Sequence, residues 1–149
     1  MTLKQKIQQH FIDVLLQKLQ YQQQVLADLK ETGTNETKST AGDKHETALA
    51  MVQIEQANMR KQMEQTHTEI AIVQKLIANN TSNIVLNGSV VKTNTAYFYI
   101  SAGIGKATID GELVIAISPT SPLGIQLMGS TVGTQISMQQ QTYTVQDIS

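Results

Sequence analysis

The chain has 149 residues, a formal charge of −1, 40% hydrophobic and only 4% aromatic residues, and neither Cys nor Trp. The missing cysteines exclude a disulfide scaffold, thiolate nucleophiles (condensing ketosynthases included) and cysteine-ligated zinc or iron–sulfur sites. Near-neutral charge argues against tight binding to bare duplex. Uninterrupted apolar runs reach five residues, against the roughly 20 of a membrane helix and the roughly 7–15 of a signal segment, so a cytoplasmic protein with no membrane partner is expected.

Composition changes near residue 79. Residues 1–78 hold nine of eleven Lys/Arg, nine of twelve Asp/Glu, no Pro, and only Gly33 and Gly42 among the glycines. Residues 79–149 hold both Pro, seven Gly and five charged residues. An α+β fold follows: an N-terminal antiparallel helical hairpin over 1–78, a linker at 79–83, and a small antiparallel β domain with one short helix over 84–149.

In chain order, Leu3, Ile7, Phe11, Val14, Leu15, Leu19, Val25, Leu26 and Leu29 form a stripe at intervals of mostly three and four, the signature of an amphipathic helix. Residues 32–42 are rich in helix breakers and cap formers, which predicts a turn. Met51, Ile54, Met59, Met63, Ile70, Val73 and Ile77 form a second stripe, so the two helices pair as antiparallel arms. Ser89–Thr93, Tyr97–Ser101 and Leu113–Ile117 read as strands, separated by turns at Asn94-Thr95, Gly103–Gly105 and Asp110-Gly111. Ser121 as N-cap, Pro122 in the first helical position and Gly129 beyond the end predict a helix over Pro122–Met128. Ile136–Met138 and Thr142–Val145 form a closing pair, and Gln139-Gln140-Gln141 reads as a solvated turn.

The hairpin tip, Thr40-Ala41-Gly42-Asp43-Lys44-His45-Glu46-Thr47, carries the only chemistry in the pattern. Asp43 as N-cap with Glu46 as its N3 partner makes a capping box, and acidic residues suit the positive end of a helix. The same spacing sets two carboxylates side by side. Such a pair can hold Mg²⁺ only as a half-site, because most of the ion's shell would still be water. His45 reads as an exposed tip residue, and metal ligation by it is sterically poor beside Asp43 and Glu46. His10 and His67 read as surface residues. No phosphate-binding glycine loop or nucleophile elbow is present.

These features resemble the bacterial Gre transcript-cleavage factors of RNA polymerase. The resemblance rests on the helical hairpin followed by a small domain, on Ala41-Gly42-Asp43-Lys44-His45-Glu46-Thr47-Ala48 at the tip, and on Ile117-Ser118-Pro119-Thr120-Ser121-Pro122-Leu123-Gly124 with Leu127-Met128-Gly129 and Gly133. It implies an FKBP-like C-terminal domain that docks on the rim of the polymerase secondary channel, with Ser121 and Pro122 in the docking segment. It implies a coiled coil that enters the channel, where Asp43 and Glu46 help hold a second Mg²⁺ and position the water that cuts backtracked RNA. The protein would then be no enzyme itself but a cofactor of the polymerase's own nuclease. It would meet the RNA 3′ end and DNA template only within the elongation complex. Lys44-His45 stands where the family commonly has a hydrophobic residue and Ser, and Ala50 lies where an aromatic residue often follows the acidic pair. A regulator that occupies the channel without promoting cleavage is the alternative. Prolyl isomerase activity is disfavoured, because such a site wants an aromatic cup and three of the domain's four aromatics are consecutive.

Overall fold

The computed structural model describes residues 1–37, 43–78 and 81–149, without the side chains of 36, 37 and 43–45. Helices α1 (Leu3–Thr37) and α2 (Asp43–Lys75) precede strands β1 (Val90–Thr93), β2 (Tyr97–Ile100), β3 (Gly105–Ile109) and β4 (Glu112–Ile117), helix α3 (Pro122–Leu127), and strands β5 (Gln135–Met138) and β6 (Gln141–Ile148). The α+β class therefore holds. Among the described residues no helix is long and apolar enough to cross a membrane. The chain divides into two compact units: Met1–Val14 with Glu69–Ser149, and Leu15–Thr68.

In the first unit the six strands run in the order β3-β4-β2-β1-β6-β5. The sheet is not wholly antiparallel as expected: β2 and β4 pair in parallel, Phe98 opposite Ile115. The chain leaves β2 at Ile100, skips one strand position to form β3, and then returns through Asp110-Gly111 so that β4 fills the gap. Both turn residues have positive φ (53° and 78°), the two-residue hairpin geometry that an Asp-Gly pair favours.

Both faces of this sheet are covered. Val91, Phe98 and Ile100 on one face join Val85, Leu127, Ile136 and Val145 in a buried cluster. Alternation along the strands sends Val90, Tyr99, Val114 and Ala116 to the opposite face, and all four are buried. There Phe11 of α1 stacks on Tyr99, ring centroids 6.1 Å apart. Burial pushes the Tyr99 phenol up to about 12, so the ring stays neutral at physiological pH. Gln8 Nε2 donates to the carbonyls of Val73 and Leu76 at 2.9 and 2.7 Å, which ties α1 to the C-terminal end of α2. Lys6 Nζ bonds Asp110 Oδ2 at 2.9 Å.

The β5–β6 hairpin turns through Gln139 and Gln140 at φ 50° and 64°. Left-handed backbone costs an L-residue about 1–2 kcal/mol, and glutamine has no short side chain to offset it. Replacing Gln139-Gln140 by Asn-Gly should therefore stabilise the protein by about 1 kcal/mol. An increased urea midpoint at unchanged m-value would show it.

The Leu15–Thr68 unit is an antiparallel helix pair. Gln22 bonds Thr66, Gln56 bonds the Leu29 carbonyl, and Gly33 lies against Val52 and Gln56, so residue numbers across the pair sum to about 85–89. The inward residues of α2 are Leu49, Val52, Gln56, Met59, Met63 and Thr66, alternate steps of three and four that define a heptad seam. Met51 and Ile54, expected in the stripe, are 59% and 60% exposed, as is Ile77 (61%) in the other unit. Hydrophobicity misplaces Met51 and Ile54 because Gln56 and Thr66 hold seam positions instead, whereas Ile77 lies past the end of α2.

α1 runs through Thr32-Gly33-Thr34-Asn35, where a turn was expected. Thr32 and Thr34 hydroxyls bond back to the Asp28 and Lys30 carbonyls at 3.0 Å. Gly33 is buried, and a Cβ there would come within 3.3 Å of Gln56 Nε2. The glycine lets the helices approach, and tertiary packing overrides its weak helix propensity.

Candidate functional site

The tip comes from the helix pair. Asp43 is the first described residue of α2 and Glu46 lies three residues on, in its first turn. Glu46 is exposed. Thr40, Ala41 and Gly42, and the side chains of Asp43, Lys44 and His45, lie outside the described residues. So do the contacts of the expected capping box and any role of His45. Among the described residues no three His, Asp or Glu side chains converge as a metal site. The backbone alone fixes what this end can do. Residues i and i+3 share one helix face about 5–6 Å apart, so Asp43 and Glu46 can supply at most two carboxylates to an ion whose other ligands come from elsewhere.

Lys4 is 9% exposed, and burial lowers its pKa. Lys6 is paired with Asp110. Lys18 and Lys30 are exposed. Lys18 shares a groove of the helix pair with Lys61, Gln22, Asn58, Gln62 and Gln65. Lys61 comes from the second helix and becomes Lys18's neighbour only through the antiparallel register. His10 and His67 are exposed as expected, and His10 meets Phe11 edge-on.

The second candidate segment, Ser118–Gly124, wraps tightly. Ser121 caps α3 from extended backbone (φ −66°, ψ 160°), with Pro122 at the helix start. Its hydroxyl accepts from Gly124 N–H at 3.1 Å and donates to the Ser118 carbonyl at 2.6 Å. The Ser121 hydroxyl is thus engaged inside the loop, while Pro122 is exposed. Ile125 is 63% exposed, between buried Gly124 and Leu127. Backbone bonds from Val85 N–H to the Ser130 carbonyl and from Gly129 N–H to the Val85 carbonyl lay residues 84–86 beside the end of α3. Ile84 and Leu86 there are 41% and 46% exposed. The exposure of these three residues was missed in the sequence, where the one local signal is an isoleucine on the outer side of a six-residue helix.

No protein-family model and no curated protein matches the chain. One solved structure, titled as that of the transcription factor Gfh1, is similar over 92% of this chain and 92% of its own, at 18% identity and a TM-score of 0.37.

Proposed function

We propose that the protein is a transcription elongation factor of the Gre type that docks on RNA polymerase and stimulates its Mg²⁺-dependent cleavage of backtracked RNA. The observation that carries this reading is the antiparallel register of α1 and α2. In this reading the first turn of α2, with Asp43 and Glu46, lies at one end of a paired stretch about 35 Å long by helical rise. A two-carboxylate half-site at the end of such a pair is useful only to a partner that completes the metal shell. Polymerase does so in this reading, and its secondary channel admits the hairpin. Asp43 and Glu46 would hold a second Mg²⁺ and orient the water, and the ion when bound would supply charge stabilisation for phosphoryl transfer. The chain contributes ligands and position, and the reaction remains the polymerase's.

The direct test is RNA shortening in a stalled, backtracked complex with and without the protein. A faster appearance of short 3′ fragments is expected, and no cleavage of free RNA by polymerase-free protein. Binding without faster cleavage would leave a channel-occupying regulator as the function.

Docking is assigned to the α3 start. Pro122 is exposed and the Ser121 hydroxyl is internally engaged, so Ser121 acts by holding Pro122 in place. Pro122→Ala should weaken polymerase affinity about tenfold or more while costing only about 0.4–1 kcal/mol of stability, the usual worth of a proline that stiffens the unfolded chain. A large drop in melting temperature with unchanged affinity would reduce Pro122 to a helix starter.

A further inference from the structure

Within Leu15–Thr68 the seam of α2 is chemically soft. Leu49 and Val52 lie toward the tip, and Met59 and Met63 make up the middle, between Gln56 and Thr66. Methionine is unbranched and flexible and fills many shapes equally well, so apolar packing alone discriminates weakly between neighbouring registers. Two of the polar contacts that cross the seam bear on its register. Gln56 Nε2 donates to the Leu29 carbonyl at 3.1 Å, but every residue of α1 carries a carbonyl, so this bond selects little. The other contact joins two particular side chains. The Thr66 hydroxyl donates to Gln22 Oε1 at 2.8 Å, with Thr66 0% and Gln22 4% exposed. If α2 slid by one turn, Gln22 would face Met63 or Ile70, and a buried amide oxygen would lose its donor. A single polar seam position specifies register in coiled coils for this reason.

We propose that Gln22 and Thr66 are positioning residues that fix the axial register of the two helices, and with it the axial position of Asp43 and Glu46. The second clause rests on the function proposed above; the first does not. A one-turn slip displaces the start of α2 by about 5.4 Å. That is more than twice a Mg–oxygen bond of about 2.1 Å, so slipped carboxylates would miss the ion.

The absence of native cysteine makes the register directly measurable. Nitroxides on Tyr21→Cys and Ile54→Cys, at positions 70% and 60% exposed, lie about 20 Å apart along the axis. Pulsed electron resonance on the full chain should give one narrow distance. Gln22→Leu with Thr66→Val replaces both polar partners and keeps an apolar seam, so circular dichroism should still show the helices. The expected result is a second population displaced by about 5 Å, with Thr66→Ser, which keeps the hydroxyl, retaining the single distance. An unchanged single distance in the double variant would overturn the proposal. Stimulated cleavage by the double variant should fall at least tenfold. If the register spreads while cleavage stays at the parent rate, register does not position the carboxylates. If the parent itself stimulates no cleavage, the elongation-factor reading fails while the distance result still decides the register.

Discussion

Asp43→Asn and Glu46→Gln should each lower stimulated cleavage by about 100-fold or more while leaving polymerase affinity within about twofold. Each change removes one negative charge from the shell of a divalent ion and preserves side-chain shape. A metal that stabilises transition-state charge is worth several kcal/mol, and each 1.36 kcal/mol is tenfold in rate. The amides also separate chemistry from capping. Asn remains a good N-cap and Gln a good N3 partner, so circular dichroism should show both helices intact. A weaker half-site can be refilled by mass action, so high Mg²⁺ or Mn²⁺ should restore part of the rate. The measurement is the cleavage rate of a backtracked complex at saturating factor across a metal titration. Near-parent rates in both variants would remove the metal role and leave only a capping box.

The second large effect is expected at Gly124. A Cβ there would fall inside the contact radius of the Ser118 carbonyl oxygen, and lie 2.8 Å from Ser121 Oγ and 3.1 Å from Pro119 Cα. Two of these neighbours are backbone and cannot rotate away. The Ser118 carbonyl is also the acceptor of the Ser121 hydroxyl, so yielding to the new methyl would break the cap of α3 as well. Gly124→Ala should destabilise by about 3 kcal/mol or more, the upper range for overpacking plus a lost cap. Helix propensity alone predicts the opposite sign, a gain of about 1 kcal/mol, so a urea melt decides between them. A neutral or stabilised variant would show that the wrap relaxes. Polymerase binding should fall with the fold, whereas Pro122→Ala loses binding with the fold intact.

Local chemistry made α3 legible. Ser121, Pro122 and Gly129 carry the start and stop signals within nine residues, and the helix observed is one residue shorter than expected. Asp110-Gly111 announced a turn for the same reason, yet β3 escaped. Gly105-Lys106-Ala107-Thr108-Ile109 has little strand propensity of its own, and its pairing with β4 supplies the conformation. The helical stripes were legible as stripes. Their inner edge was not, because Gln22, Gln56 and Thr66 sit inside on the strength of partners far along the chain. Asp43 and Glu46 could be picked out by spacing, whereas the Lys18–Lys61 neighbourhood and the exposed Ile125 depend on tertiary packing.

The two-sided burial of the sheet has a consequence for synthesis. Ile7 and Phe11 leave the ribosome long before the strands of their unit. At about 5–20 residues per second, the interval between Phe11 and the Tyr99 that covers it is roughly 4–18 s. Helices form within about a microsecond, so α1 and α2 have time to pair while Phe11 still waits for Tyr99. A nascent chain stalled in that interval would present an uncovered aromatic on α1. Chaperones bind such surfaces, so ribosome-associated holding factors should engage this chain before its sheet forms.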